Sequence, residues 1–143
     1  MQNPKIDLVK HPRFYFFDTG VYNALAGGHE LSLDRIGYLT EQTIFSQLLH
    51  SGWAQEKKLK LNSFRTRSGV EVDFIAELDK KIWAIEVKNS DSLDPSDCDA
   101  LNIYKNEVDP KANLRIFHFG TKEKKWGPVW SLPWQKGLKE MGL

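Results

Sequence analysis

The chain has 143 residues, a formal net charge of +1, 41% hydrophobic and 27% charged residues. That is enough chain for one domain with its own core, in a composition that is globular rather than disordered. The near-zero charge gives no global case for nucleic acid, so any such contact has to be a local patch. The single cysteine, Cys98, excludes a disulfide framework and a thiolate zinc site. No apolar run reaches the roughly 20 residues of a membrane span, and the N-terminal MQNPKIDLVKHPR has no signal-peptide core. A cytoplasmic protein without a membrane partner is therefore expected.

Residues 1–12 are polar, contain Pro4 and Pro12, and read as an extended lead-in. The aromatic run Arg13–Phe17 reads as core packing. Asp18 or Thr19 can cap a short helix over Val21–Ala26, with Gly27-Gly28 ending it. From Tyr38 to Ser51 the pattern is helical, with Thr40 as the cap and Gly52 as the stop. Ile44, Phe45, Leu48 and Leu49 make its apolar stripe, and Glu41 lies on that stripe by the three- and four-residue spacing. A carboxylate there is either a first-turn residue favoured by the helix dipole or an acidic group aimed at a site.

Lys57–Arg65 alternates and reads as a strand. Its basic residues, with Arg67, make the most cationic part of the chain. Arg65 and Arg67 are candidate phosphate contacts, against a plain reading as solvated strand-end charges. Val70–Glu77 and Lys81–Lys88 both have the two-residue period of strands, joined by a turn at Asp79-Lys80. Lys is a poor choice there if φ is positive. With Leu78 facing Lys81, Asp73 falls opposite Glu86 and Glu71 opposite Lys88. One face then carries adjacent carboxylates, which repel and whose pKa values burial raises. A hard divalent cation, Mg²⁺ or Mn²⁺, would relieve them. Lys88, two residues after Glu86, could orient or deprotonate a water. An ordinary hairpin with a solvated charged face is the competing reading.

After the polar loop NSDSLDPSD, a helix is expected from Ser96 to Val108, starting near Pro95, and a strand over Ala112–Phe119. Gly120–Gly127 reads as a charged turn. Val129–Trp134, interrupted by Pro133, reads as an edge strand or covering segment. Trp126, Trp130 and Trp134 recur every four residues and are read as packing over a sheet edge, with a partner surface as the lesser alternative. His11, His29, His50 and His118 show no ligand spacing.

Asp73 stands 13 positions before Glu86 in the pattern Asp…Glu-x-Lys, and the element order is helix, three strands, helix, strand. Both resemble the PD-(D/E)xK nucleases, whose restriction-endonuclease-like αβββαβ core has a central mixed sheet flanked by helices. The resemblance implies Asp73, Glu86 and Glu41 as ligands of Mg²⁺ or Mn²⁺, with Lys88 completing the catalytic set. Residues 1–30 would be a lead-in with a short helix and residues 31–143 the nuclease-like domain.

A narrower resemblance rests on KHPRFYFFDTGVYNALAG at 10–27, YLTEQTIFSQL at 38–48, FRTRSGVEVDFI at 64–75, AIEVKNS at 84–90 and VWSLPW at 129–134. These resemble the domain-of-unknown-function 4143 family, the C-terminal module of many bacterial and archaeal AAA+-type ATPases. The resemblance implies a nuclease-like fold and an ATPase domain as partner, in the same or another chain; the nuclease reading adds nucleic acid, DNA rather than RNA, as the expected target. The sequence contains no GxxxxGK[ST] phosphate loop, so a fragment of a longer protein or a stand-alone copy is expected. A homo-oligomer is left open. The alternative function is a non-cleaving nucleic-acid- or protein-binding regulatory module of an ATPase that keeps the nuclease fold.

Overall fold

The computed structural model describes residues 13–27 and 32–143. The lead-in over residues 1–12, His11, Gly28 and His29 lie outside the described residues. Asp18, in extended backbone, starts helix α1 (Thr19–Leu25), and its Oδ1 accepts the Val21 amide at 3.0 Å. Gly27 follows at φ +69°, a value Gly reaches without steric cost. Helix α2 (Leu33–Ala54) is longer than its apolar stripe suggests. Ser32, not Thr40, caps it, accepting the Arg35 amide at 3.3 Å. The Thr40 hydroxyl instead donates back to the Gly37 carbonyl at 2.7 Å. Gly52 does not stop the helix: it is buried against Leu59, whose Cβ would lie 3.3 Å from any added methyl. The left-handed residue after the helix is Glu56, at φ +53°.

Six strands among the described residues form one mixed sheet. They are β1 (Leu59–Arg65), β2 (Glu71–Leu78), β3 (Lys81–Lys88), β4 (Asn113–His118), β5 (Lys124–Trp126) and β6 (Val129–Pro133), in the spatial order β1-β2-β3-β4-β6-β5. The first three form an antiparallel meander. β3, β4 and β6 run parallel, and β5 returns antiparallel to β6. The parallel step from β3 to β4 needs a crossover. A 3₁₀ turn at Pro95–Cys98 and helix α3 (Asp99–Glu107) supply it, opened by a reciprocal capping box between Asp94 and Asp97.

Helix α2 and a last helix, α4 (Trp134–Met141), cover one sheet face; α3 covers the other. On the first face Ile44 and Leu48 pack with Phe74, Ala76, Leu78, Ile85, Val87, Phe117 and Leu138. On the second, Leu101 and Tyr104 pack with Phe64, Val72, Ala84, Leu114 and Ile116. This two-sided burial explains the unbroken apolar run Ile82–Ile85 in β3 and the burial of Ile116, Phe117 and His118 in succession in β4. Among the described residues no helix is long and apolar enough to cross a membrane.

The C-terminal third departs from expectation. The charged turn at 120–127 contains β5, and Val129–Pro133 is an inner strand between β4 and β5. Pro133 is tolerated because it is the last residue of β6, and helix α4 begins immediately after it. Trp126 lies on β5, Trp130 on β6, and Trp134 at the start of α4, 6.1 Å from the Phe119 ring. The Asp79-Lys80 turn forms as expected, with both residues in the left-handed region at φ +50° and +63°.

Candidate functional site

The β2/β3 ladder has the expected register, from Leu78 opposite Lys81 to Phe74 opposite Ile85, where the regular pairing ends. Asp73 and Glu86 do not share one face as the alternation predicts: Asp73 borders the α2 side and Glu86 the α3 side. Between Asn62–Ile75 and Phe64–Val72 the β1/β2 register shifts by one, so Asp73 and Phe74 together oppose the single residue Ser63. This β-bulge sends Val72 to the α3 face and Phe74 to the α2 face, against the strict alternation expected. Asp73 thereby stands in the fork between β2 and β3. Its Oδ2 accepts the Val87 amide at 2.8 Å, and its Oδ1 faces Arg13 Nη1 at 3.5 Å.

Arg13 and Tyr15 were expected in the core; the structure puts both at this fork. Arg13 Nη1 also donates to Glu41 Oε2 at 3.2 Å and to the Tyr15 hydroxyl at 3.2 Å, and Nη2 pairs with Glu71. Tyr15 donates to the same Glu41 oxygen at 3.3 Å, with its ring stacked 4.5 Å from Phe45. Phe14 and Phe17 are exposed, so the aromatic run is not a buried cluster. The only sequence signal for Arg13 and Tyr15 is that they share a parity opposite to Phe14.

Glu41 therefore lies on the α2 stripe, half-buried, aimed at Arg13. Glu86 and Lys88 follow Ala84 in alternation on the α3 side of β3 and border a cavity of about 340 Å³ with Glu71, Asp97 and Ile103. Asp73, Arg13, Tyr15 and Phe45 border a second cavity of about 250 Å³ on the α2 side. Lys88 Nζ lies 3.6 Å from Glu86 Oε1 and 3.3 Å from Asp97 Oδ1. Glu86 Oε2 is buried and has no hydrogen-bond partner among the described residues.

The electrostatics join the two cavities. Burial, then the charge of Asp73, pushes the Glu86 carboxyl up to about 8, with Lys88 pulling against it and Glu41 adding to the rise. Burial also raises Asp73, opposed by the Val87 amide and by Arg13. Glu41 is raised by burial and by Asp73. For Lys88, burial lowers the pKa, but Glu86, Asp97 and Asp73 outweigh it and the net direction is up. The four side chains thus share one electrostatic environment, with Arg13 as a fifth member.

The donor set, carboxylate oxygens with one buried oxygen unpaired, fits a hard divalent cation. Among the described residues no three His, Cys, Asp or Glu side chains already stand grouped for a metal. Arg65, half exposed, lies 3.7 Å from Glu71 Oε2, and Arg67 is exposed in the turn between β1 and β2. The fully buried His118 accepts the Gly120 amide on Nδ1 at 3.1 Å, away from ligand spacing.

No curated protein and no solved structure matches the chain. A family model described as "Domain of unknown function (DUF4143)" matches residues 36–136, a span from α2 into α4 that takes in Glu41, Asp73, Glu86 and Lys88. The chain belongs to the DUF4143 family.

Proposed function

We propose that this chain is a nuclease-like domain of the PD-(D/E)xK type, performing metal-dependent phosphodiester hydrolysis of nucleic acid, DNA in preference to RNA. The observation that carries the reading is the convergence at the β2/β3 fork. Asp73, on β2, raises the carboxyl pKa of Glu86 on β3 and of Glu41 on α2, and Glu86 Oε2 is buried with no partner among the described residues. The order α2, β1, β2, β3, α3, β4 supports it as the αβββαβ core.

Asp73 and Glu86 would hold Mg²⁺ or Mn²⁺, with Glu41 completing the set. When bound, the ion supplies Lewis-acid polarisation of the phosphoryl group and lowers the pKa of a bound water. Lys88 is held protonated by Glu86 and Asp97, so it cannot take a proton from water. Its role is to orient the attacking water and to stabilise the negative charge that grows on the phosphorane. Water adds across the P–O bond, and the leaving oxygen takes up a proton from solvent. Arg65 and Arg67, beside the start of β2, would hold flanking phosphates. An ATPase domain, in the same or another chain, would deliver the substrate.

A second reading is a non-cleaving nucleic-acid- or protein-binding module of an ATPase. The ion pairing of Arg13 favours it, because that guanidinium already pairs with Glu41, Asp73 and Glu71 and offsets part of their charge.

The test is cleavage of single-stranded, duplex and branched DNA and RNA with Mn²⁺. Wild type is expected to cut. Asp73→Asn, Glu86→Gln and Lys88→Ala are expected to lose activity, and Arg65→Ala to weaken substrate binding with a shallower salt dependence. Metal binding without cleavage of any substrate would move the assignment to the second reading.

A further inference from the structure

Arg13 sits where a shared cation of the site would have to sit. One nitrogen, Nη1, lies 3.2 Å from Glu41 Oε2 and 3.5 Å from Asp73 Oδ1, and the other terminal nitrogen pairs with Glu71. The two oxygens of Asp73 are thus assigned: Oδ2 to the Val87 amide and Oδ1 to the side facing Arg13. The Asp73 oxygen left open by the Val87 hydrogen bond, and so the more available one for an ion, is Oδ1. A small divalent ion needs its ligands at about 2.0–2.1 Å, inside the volume the guanidinium fills. Two cations at that spacing would also repel strongly in a half-buried site.

The guanidinium is seated, not incidental. Tyr15 OH accepts from Nη1 and donates to the same Glu41 oxygen, and the Tyr15 ring lies 4.5 Å from Phe45 and 5.6 Å from Phe74. Gln42, next to Glu41 on α2, fixes the same segment through both backbone groups of Phe16: its Oε1 accepts the Phe16 amide at 2.7 Å, and its Nε2 donates to the Phe16 carbonyl. The segment carrying Arg13 is therefore docked on α2 by hydrogen bonds that do not involve the guanidinium. The side chain can leave Asp73 and Glu41 while the segment stays in place.

We propose that Arg13 is a tethered internal cation that occupies the Asp73–Glu41 face of the site and must be displaced for a divalent metal to bind. Metal affinity is then set by competition within the chain. A partner that draws Arg13 away, such as a phosphate of the nucleic acid, would raise that affinity and couple substrate binding to metal loading. The proposal rests on the metal-site reading above and deepens it.

The experiment is Mn²⁺ titration by calorimetry of the full chain, wild type beside Arg13→Gln, each checked for folding by circular dichroism. Removing an opposite charge at this distance shifts carboxylate equilibria by about 1–3 pKa units, so Arg13→Gln should bind Mn²⁺ about tenfold to a thousandfold more tightly. In parallel, wild type is digested briefly with trypsin, with and without Mn²⁺. Cleavage after Arg13, measured against cleavage after Lys111, should speed up with metal because the guanidinium has been released. This second measurement decides the matter if Arg13→Gln does not fold. Equal or weaker binding by folded Arg13→Gln overturns the competition but leaves the metal site standing. Unchanged or slower cleavage after Arg13 in metal-bound wild type does the same. Failure of both proteins to bind Mn²⁺ at millimolar concentration overturns the metal reading itself and this proposal with it.

Discussion

Asp73 Oδ2 accepts the backbone amide of Val87 at 2.8 Å, so a side chain on β2 stands where a strand partner would otherwise take the β3 ladder. The bulge at Asp73-Phe74 makes this reach possible. The same carboxylate that defines the candidate site is therefore also a structural acceptor. Asp73→Ala removes both functions, whereas Asp73→Asn keeps an oxygen for Val87. Leaving a buried amide unpaired costs about 1–3 kcal/mol. Urea unfolding in chelator should show Asp73→Asn more stable than Asp73→Ala by that amount, while neither variant gains melting temperature from Mn²⁺. Equal stability of the two would mean that the Val87 contact contributes nothing.

The raised carboxyls make a prediction about pH. Glu86 moves from the ordinary 4.5 to about 8 in the folded chain. Between those values the folded protein keeps a proton that the unfolded chain has released. Stability is therefore highest at and below about pH 4.5 with respect to this group, and it falls as pH rises through about 8. Asp73 and Glu41 are shifted in the same direction and add to the slope. Thermal melts of metal-free protein from pH 5 to 8.5 should show this decline, and Glu86→Gln should flatten it. An equally steep decline in Glu86→Gln would remove Glu86 as its source. Metal, binding the ionised form, should release close to one proton at pH 7 and bind more tightly as pH rises.

Lys80 is a non-glycine residue at φ +63° in the β2/β3 turn, next to Asp79 at φ +50°. Left-handed backbone costs an ordinary L residue about 1–2 kcal/mol, a cost Gly avoids. Lys80→Gly, which creates the Asp-Gly pair this turn favours, should stabilise the domain by about 1 kcal/mol. Denaturant midpoints check it. No gain would mean that Lys80 makes contacts worth as much as the strain.

Gly137 lets α4 lie directly on the sheet. A methyl placed there would overlap Phe117 Cε1, and that ring is fully buried. Gly137→Ala should cost about 1–3 kcal/mol through overpacking, despite the better helix propensity of Ala. A neutral effect would show that Phe117 can re-pack.

The sequence carried the fold where burial leaves a period. β2, β3, β4 and both central helices follow from alternation or from an apolar stripe. It failed where one residue or a short element decides. α4 has only eight residues, follows Pro133 and contains Gly137, so its spaced Trp134, Leu138 and Met141 do not read as a helix. β5 has one apolar residue between lysines and a glycine. The bulge at Asp73 adds a single residue and leaves no compositional mark. Glu41, Asp73, Glu86 and Lys88 stood out by type and spacing; the structure sets Asp73 and Glu41 beside Arg13, and Glu86 and Lys88 beside the cavity on the α3 side. Arg13 was hidden among aromatics, because its importance comes from a contact with residues 28 and 60 positions away.

Among the described residues the sheet ends in two margins, β1 and β5, and these have a consequence for self-association. An unpaired strand edge is a template on which another copy can add a strand. β5 presents only three residues, two of them Lys124 and Lys125, each lying over a tryptophan ring at 5.5 and 5.0 Å. β1 presents Lys60 and Arg65 and faces a bulged neighbour that twists its edge. A second copy approaching β5 meets like charge before it meets hydrogen-bonding backbone, whereas Lys60 and Arg65 on β1 are paired with Glu77 and Glu71. Charge therefore disfavours sheet extension at the β5 margin more than at β1.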